Sequence, residues 1–169
     1  MLRLIERLGP IEARRANDTL TLPFDQRVLG RLKAQSDAGR PLGLFLDRGP
    51  VLRDGEGLRA EGGEVVRIRA AVEPVVTART GAGLPLARLA YHLGNRHVQL
   101  ALGEDEQGGF VRFPPDHVLE ALAERLGARL EHHQAPFDPE PGAYSHDHAR
   151  GRARHDHDHH HGHAHDHAH

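Results

Sequence analysis

From Pro136 onward the chain turns to Pro, Asp, Gly and His and offers little that can be buried, which confines any hydrophobic core to the residues before it. Histidine sharpens the division: of sixteen in the chain, five lie between Met1 and Ser145 and eleven between His146 and His169. Such a segment is expected to be disordered without metal. Its end, RHDHDHHHGHAHDHAH, interleaves Asp, Gly and Ala with the histidines and continues an earlier Ser145-His146-Asp147-His148. It therefore reads as native sequence, unlike the six consecutive histidines of an engineered tag.

The rest of the composition narrows the chemistry. The chain has no cysteine, so disulfides, thiolate zinc sites and Cys nucleophiles are excluded, and any metal must be held by nitrogen and oxygen ligands. A formal charge of -2 leaves no basic surplus to release phosphate counterions, which argues against nucleic acid as a partner. At 169 residues the chain can hold one domain or two small ones. The N-terminal MLRLIERLGPIEARRAND lacks an apolar core long enough for a signal peptide, and no run approaches the roughly 18 apolar residues of a membrane span. The expectation is a cytoplasmic protein with no membrane partner.

Residues 1–71 read as a small β-rich unit, mostly antiparallel. Leu2 to Leu8, Thr19 to Leu22, Leu42 to Leu46 and Glu64 to Ile68 are short apolar or alternating runs. Turns are expected at Gly9-Pro10, Asn17-Asp18, Gly39-Arg40-Pro41, Gly49-Pro50, Asp54-Gly55 and Gly62-Gly63. Leu42 to Asp47 followed by Val51 to Gly55 suggests consecutive strands of a meander, and Gln26 to Gln35 has a helical look that Gly30 weakens.

Residues 72–142 change pattern. Val72 to Thr77 is a strand; Leu84 to Leu93 places apolar residues at 86, 89, 90 and 93, the helical period, with Pro85 in its first turn and Gly94-Asn95 tolerant of the positive φ that closes a helix. Val98 to Leu102 and Phe110 to Phe113 read as a hairpin around the polar turn Gly103 to Gly109. A second helix follows Asp116, with Val118, Leu119, Leu122 and Leu126 as its apolar face and Gly127 as its stop, and Ala128 to His133 is a last strand. The order β-α-β-β-α-β is the split βαβ, or ferredoxin-like, arrangement. The fold class is thus α+β: a small all-β domain, a ferredoxin-like domain, and a His-rich segment at 143–169.

Three places in the body carry candidate ligands. His92 and His97 flank the glycine-closed end of the first helix, and His97 can project from a well-fixed backbone. Pro115-Asp116-His117 offers either a ligand pair or a helix cap followed by a surface imidazole. His132 and His133 are neighbours on a strand and face opposite sides, so both cannot easily reach one ion. The tail, with His155, His157 and His159 among its histidines, can collect ions at individually weak sites, because ordering a flexible segment offsets part of the coordination energy. Tethering keeps its imidazoles near the body at an effective concentration on the order of millimolar.

Tyr91-His92-Leu93-Gly94-Asn95-Arg96-His97, the Asp116-His117-Val118-Leu119 helix start, and Ala135-Pro136-Phe137 leading to Gly142-Ala143-Tyr144 and a His-rich terminus resemble the UreE family of nickel metallochaperones in urease assembly. The resemblance covers the whole chain. It implies that the N-terminal unit contacts peptide or protein partners and that residues 72–142 bind metal. It implies a homodimer in which His97 from both protomers meets one ion on the two-fold axis, with His146 and His148 completing the shell. His92, Asp116 and His117 match positions that form peripheral sites in some relatives, although a His-Asp-His of some relatives is Pro115-Asp116-His117 here. The cargo it implies is Ni²⁺, and the recipients are the urease accessory GTPase and the urease apoprotein complex. Ligand chemistry alone leaves Zn²⁺ and Cu²⁺ as competitors, because the Irving–Williams order favours Cu²⁺ over Ni²⁺ at similar ligands.

Two other functions fit parts of the pattern. A storage or detoxification protein would buffer metal without a recipient, but a mere buffer has little use for a second folded module such as the β-rich unit. A metal-dependent hydrolase would use His97, Asp116 and His117 around an ion with an open position, but residues 1–145 show no His pair at i, i+4, and the chain has no phosphate-binding glycine loop and no Gly-x-Ser-x-Gly turn. The expectation is a non-enzymatic carrier.

Overall fold

The computed structural model describes residues 1–141, which form two sheets. The first six strands are β1 (Leu2–Pro10), β2 (Asp18–Leu22), β3 (Arg31–Gln35), β4 (Pro41–Phe45), β5 (Glu56–Ala60) and β6 (Val65–Ala70), in the order β2-β6-β5-β1-β4-β3 of a barrel-like sheet. Alternation puts Leu20 and Leu22, Leu42 and Leu44, Leu58 and Ala60, and Val66 and Ile68 on one side as pairs two residues apart, and these close over Leu4 as one core. Two of the pairings are parallel, β1 with β4 and β2 with β6, and the others are antiparallel.

Several local expectations are corrected. Val51 to Asp54 is not a strand, and the strand after β4 is β5, which pairs with β1 and β6, so there is no meander. The helical look of Gln26 to Gln35 resolves into a one-turn helix α1 (Phe24–Arg27) and then β3, whose half-buried Leu32 and Ala34 alternate with exposed neighbours. Gly9-Pro10 is not a turn after β1 but its last two paired residues, with a register shift between Arg7 and Gly9 and Gly9 at φ 71°.

The second sheet comprises β7 (Val72–Arg79), β8 (Ala101–Asp105), β9 (Gly108–Phe113) and β10 (Arg129–Pro136), ordered β10-β7-β9-β8 and antiparallel throughout. With α2 (Leu84–Gly94) and α3 (His117–Arg125) this is the expected split βαβ unit. Leu89, Leu93, Leu119 and Ala123 of the helices pack on Val76, Ala78, Val111 and Phe113. Gly127, at φ 83°, stops the chain after α3 as expected. Val118 does not join the apolar face and is exposed, and the strand expected at Val98 to Leu102 starts at Ala101 and runs to Asp105, which shortens the turn to Glu106-Gln107.

The largest correction concerns the chain beyond Pro136. Phe137 is fully buried, with its ring edge-on to that of Phe24 at 5.2 Å and packed with Val75, Ala101 and Ala135. One aromatic ring thus finds burial by lying on the sheet face that α2 and α3 leave open, beneath α1. Among the described residues no helix is long and apolar enough to cross a membrane.

Candidate metal centre

The site begins with how α2 ends. Asn95 N–H donates to Tyr91 O at 3.0 Å, an ordinary α-helical bond, and the chain then tightens through two i→i−3 bonds, Arg96 N–H to Leu93 O at 3.1 Å and His97 N–H to Gly94 O at 3.0 Å. The left-handed residue expected at Gly94-Asn95 is instead His97, with φ 55°; Asn95 stays helical at φ -62°. Among the described residues His97 is the one non-glycine residue with positive φ. An imidazole-bearing residue held there costs on the order of 1 kcal/mol or more, and such outliers persist where their surroundings over-determine them. Here the surroundings are Leu93 on one side and Leu100 on the other, both buried. The His97 side chain itself is exposed.

Glu140 N–H donates to Leu100 O at 2.8 Å. The last described residues therefore run beside the chain three residues after His97. Apart from the isolated Phe137 directly after a strand, nothing in the local pattern at 98–100 or 137–141 announces this contact.

The remaining candidates are placed apart. His92 is exposed on α2, its ring edge-on to that of Tyr91 at 5.3 Å. Asp116 is the N-cap of α3: its Oδ1 accepts Val118 N–H at 2.9 Å and Leu119 N–H at 3.0 Å, while its own N–H donates to Glu120 Oε1 at 3.2 Å. The Leu119 amide, then that of Val118, holds its carboxyl below the ordinary range. One oxygen is thus committed to the helix and the other is open. His117 follows as an exposed first residue of α3.

His132 and His133 do point to opposite sides. His132 Nε2 lies 3.0 Å from Glu120 Oε2 on the helix side, and His133 Nε2 lies 2.7 Å from the buried Thr77 Oγ1, which also accepts Arg112 Nε–H at 2.9 Å. Among the described residues no three His, Asp or Glu side chains come together as a metal-holding group. His146, His148, His155, His157 and His159 lie outside the described residues.

The N-terminal unit has a cleft of about 480 Å³ lined by Arg7, Arg31, Arg48, Val28 and Leu29, with Asp47 as its one acid. It contains no histidine and so offers no imidazole site.

Comparison with known proteins gives two family matches. Residues 4–71 match the family described as UreE urease accessory protein, N-terminal domain, and residues 73–169 match UreE urease accessory protein, C-terminal domain. A protein of Marinobacter nauticus named Urease accessory protein UreE is 61% identical over 151 residues, covering 86% of this chain and 83% of that one. Proteins of the same name from Pseudoalteromonas translucida and Alkalilimnicola ehrlichii are 62% and 51% identical, over 147 and 144 residues, covering 86% and 85% of this chain and the same shares of theirs.

Proposed function

The chain belongs to the UreE family of urease accessory proteins, and we propose that it is a nickel carrier that gathers Ni²⁺ as cargo, holds it at a pair of His97 side chains, and delivers it for urease assembly. In this reading residues 1–71 meet partners, 72–142 bind metal, and 143–169 collect ions through His155, His157, His159 and their neighbours. The family is one of accessory proteins and not of enzymes, so the hydrolase reading falls.

The observation that carries the reading is the bond from Glu140 to Leu100. His97 lies three residues from Leu100, at most about 11 Å away along the chain, whereas the six residues from Glu140 to His146 can span up to about 20 Å. His146 and His148 can therefore close on an ion at His97 without any change in residues 1–141. One exposed imidazole is a poor site; two on a homodimer axis, joined by tail imidazoles, give four to six nitrogen or oxygen ligands and make metal binding favour association. Such a shell accepts Zn²⁺ and Cu²⁺ as well, and the choice of nickel rests on the family. His92, Asp116 and His117 serve as peripheral ligands, with Asp116 limited to its uncommitted oxygen. Delivery takes place in the cytoplasm, to the urease accessory GTPase and the urease apoprotein complex, by exchange of one tail ligand for a partner ligand.

The test is calorimetry with sedimentation on the native chain, on His97→Ala and on a chain lacking residues 150–169. His97→Ala should lose the tight site of one ion per dimer and keep weak tail binding, while the shortened chain should keep the tight site and bind fewer ions. A tight site unchanged in His97→Ala would overturn the reading.

A further inference from the structure

Strand order poses a problem that residues 137–140 solve. β10 and β8 are the opposite edges of the second sheet, three strand intervals or about 14 Å apart. The chain leaves β10 at Pro136, on the edge far from the His97 corner, yet Glu140 is bonded to Leu100, the residue just before β8. Phe137 to Glu140 therefore cross the open face of the sheet, with Phe137 touching Val75 and Ala101 on the way.

What holds this crossing in place comes from the other sheet. The Arg27 guanidinium, with no solvent exposure, donates through one terminal nitrogen to Asp138 Oδ1 and to Leu52 O, both at 2.8 Å, and through the other to Phe137 O. Arg53 sits 3.2 Å from Asp138 Oδ2 and donates to Pro139 O. Phe24 covers Phe137, and its own N–H is tied to Glu73 Oε2 at 2.9 Å. A planar fork that bonds a carbonyl and a carboxylate together fixes the direction of a strand of chain in a way a single point charge cannot. A buried guanidinium is also costly unless its bonds are made, so the crossing and the cation depend on one another.

The geometry points to Arg27, assisted by Arg53, as a positioning residue for the cargo site: the N-terminal unit clamps residues 137–139 across the second sheet and so brings the chain at Glu140 to Leu100, three residues from His97. This rests on the reading that tail imidazoles complete the His97 site. It gives the N-terminal unit a part in metal binding although it contains no histidine.

Releasing the clamp moves the root of the tail back to Pro136, so the tether to His146 grows from six residues to ten and starts at the wrong edge. Effective concentration falls with tether length to the power of about three halves, and with the displaced root the affinity of the tight site should drop roughly two- to five-fold.

The experiment uses the full chain, whose lack of cysteine makes Ser145→Cys a unique attachment point for a nitroxide. In metal-free protein the label should broaden the amide resonances of Asn95 to Val98. Arg27→Met should abolish that broadening, and Arg27→Lys should restore part of it. Should Arg27→Met fail to fold, the double variant Arg53→Ala with Asp138→Ala loosens the same crossing from half-exposed positions. Nickel titration should show the two- to five-fold loss in these variants and no such difference when each is shortened to end at Pro141. Broadening at Asn95 to Val98 that survives in a folded clamp variant would overturn the proposal, as would an affinity loss that persists in the shortened chains. Failure of His97 as a ligand would appear separately, as unchanged nickel binding in His97→Ala, while the label would still report where the tail departs.

Discussion

Replacing His97 by glycine should make the metal-free protein more stable while destroying its tight site. The backbone at His97 has φ 55°, where a residue with a Cβ crowds the following carbonyl at a cost of about 1–2 kcal/mol. Glycine removes that cost but gains freedom in the unfolded chain worth roughly 0.5–1 kcal/mol, so the net gain over the native residue should be about 0.5–1 kcal/mol. Alanine removes the imidazole and keeps the crowding, so His97→Ala should unfold close to the native protein. Near the size of the described fold, 1 kcal/mol corresponds to a rise of about 2–4 °C in Tm. Urea and thermal unfolding of the three proteins in chelator provides the assay, and the His97→Gly to His97→Ala difference is the cleanest reading because both lack the ligand. Added Ni²⁺ should reverse the ranking, since only the native chain gains the stabilisation that a ligand of the folded state confers. Equal stability of His97→Gly and His97→Ala in chelator would refute the argument that the corner is strained, and a ranking unmoved by nickel would refute its link to binding.

Two further outcomes follow from the same structure. Phe137→Ala should cost about 3–5 kcal/mol in urea unfolding, the usual range for deleting a fully buried ring; a loss under about 1 kcal/mol would show that residues after Pro136 are not part of the core. The carboxyls of Asp105, beside the Arg79 guanidinium, and of Asp116, capping α3, both lie below their ordinary value of 3.8, so their contribution is complete above that range and is lost as pH falls through it. Unfolding measured from about pH 6 down to pH 2.5 should show this acid loss, and Asp105→Asn with Asp116→Asn should flatten it, Asn remaining a good cap.

The parts of the fold that could be read from residues are those governed by local rules. The period of Leu86, Leu89 and Leu93 marks a helix because each must reach the same core, Asp116 marks a helix start because its carboxylate meets free amides, and Gly127 marks a stop. The parts that could not be read depend on partners far along the chain. Arg27 and Asp138 are 111 residues apart, and neither has a neighbour that reveals the other. Leu32 and Ala34 alternate over too few residues to outweigh the preceding helical pattern, and only pairing with β4 decides them. At the metal centre His97 could be singled out from its place after a glycine-closed helix, but its positive φ could not, because Gly94 and Asn95 were the residues expected to absorb it.

The proposed division of ligands between a rigid corner and a tethered segment would suit what a carrier must do. A site built wholly from fixed side chains gains affinity because its ligands are ordered in advance, and for the same reason gives up its ion slowly. A site built wholly from tail imidazoles exchanges readily but must order its ligands each time it binds. In the proposed reading His97, on a corner whose flanking Leu93 and Leu100 are buried, would have its ordering cost already met in folding, whereas ligands beyond Glu140 would reach the ion by tether. On the proposed mechanism one tail imidazole would leave for a partner's ligand while the His97 pair kept its grip, so that the bare ion would not enter solvent. The proposed clamp at Arg27 would tune that balance, because a shorter free tether would make the tail act more as part of the rigid site.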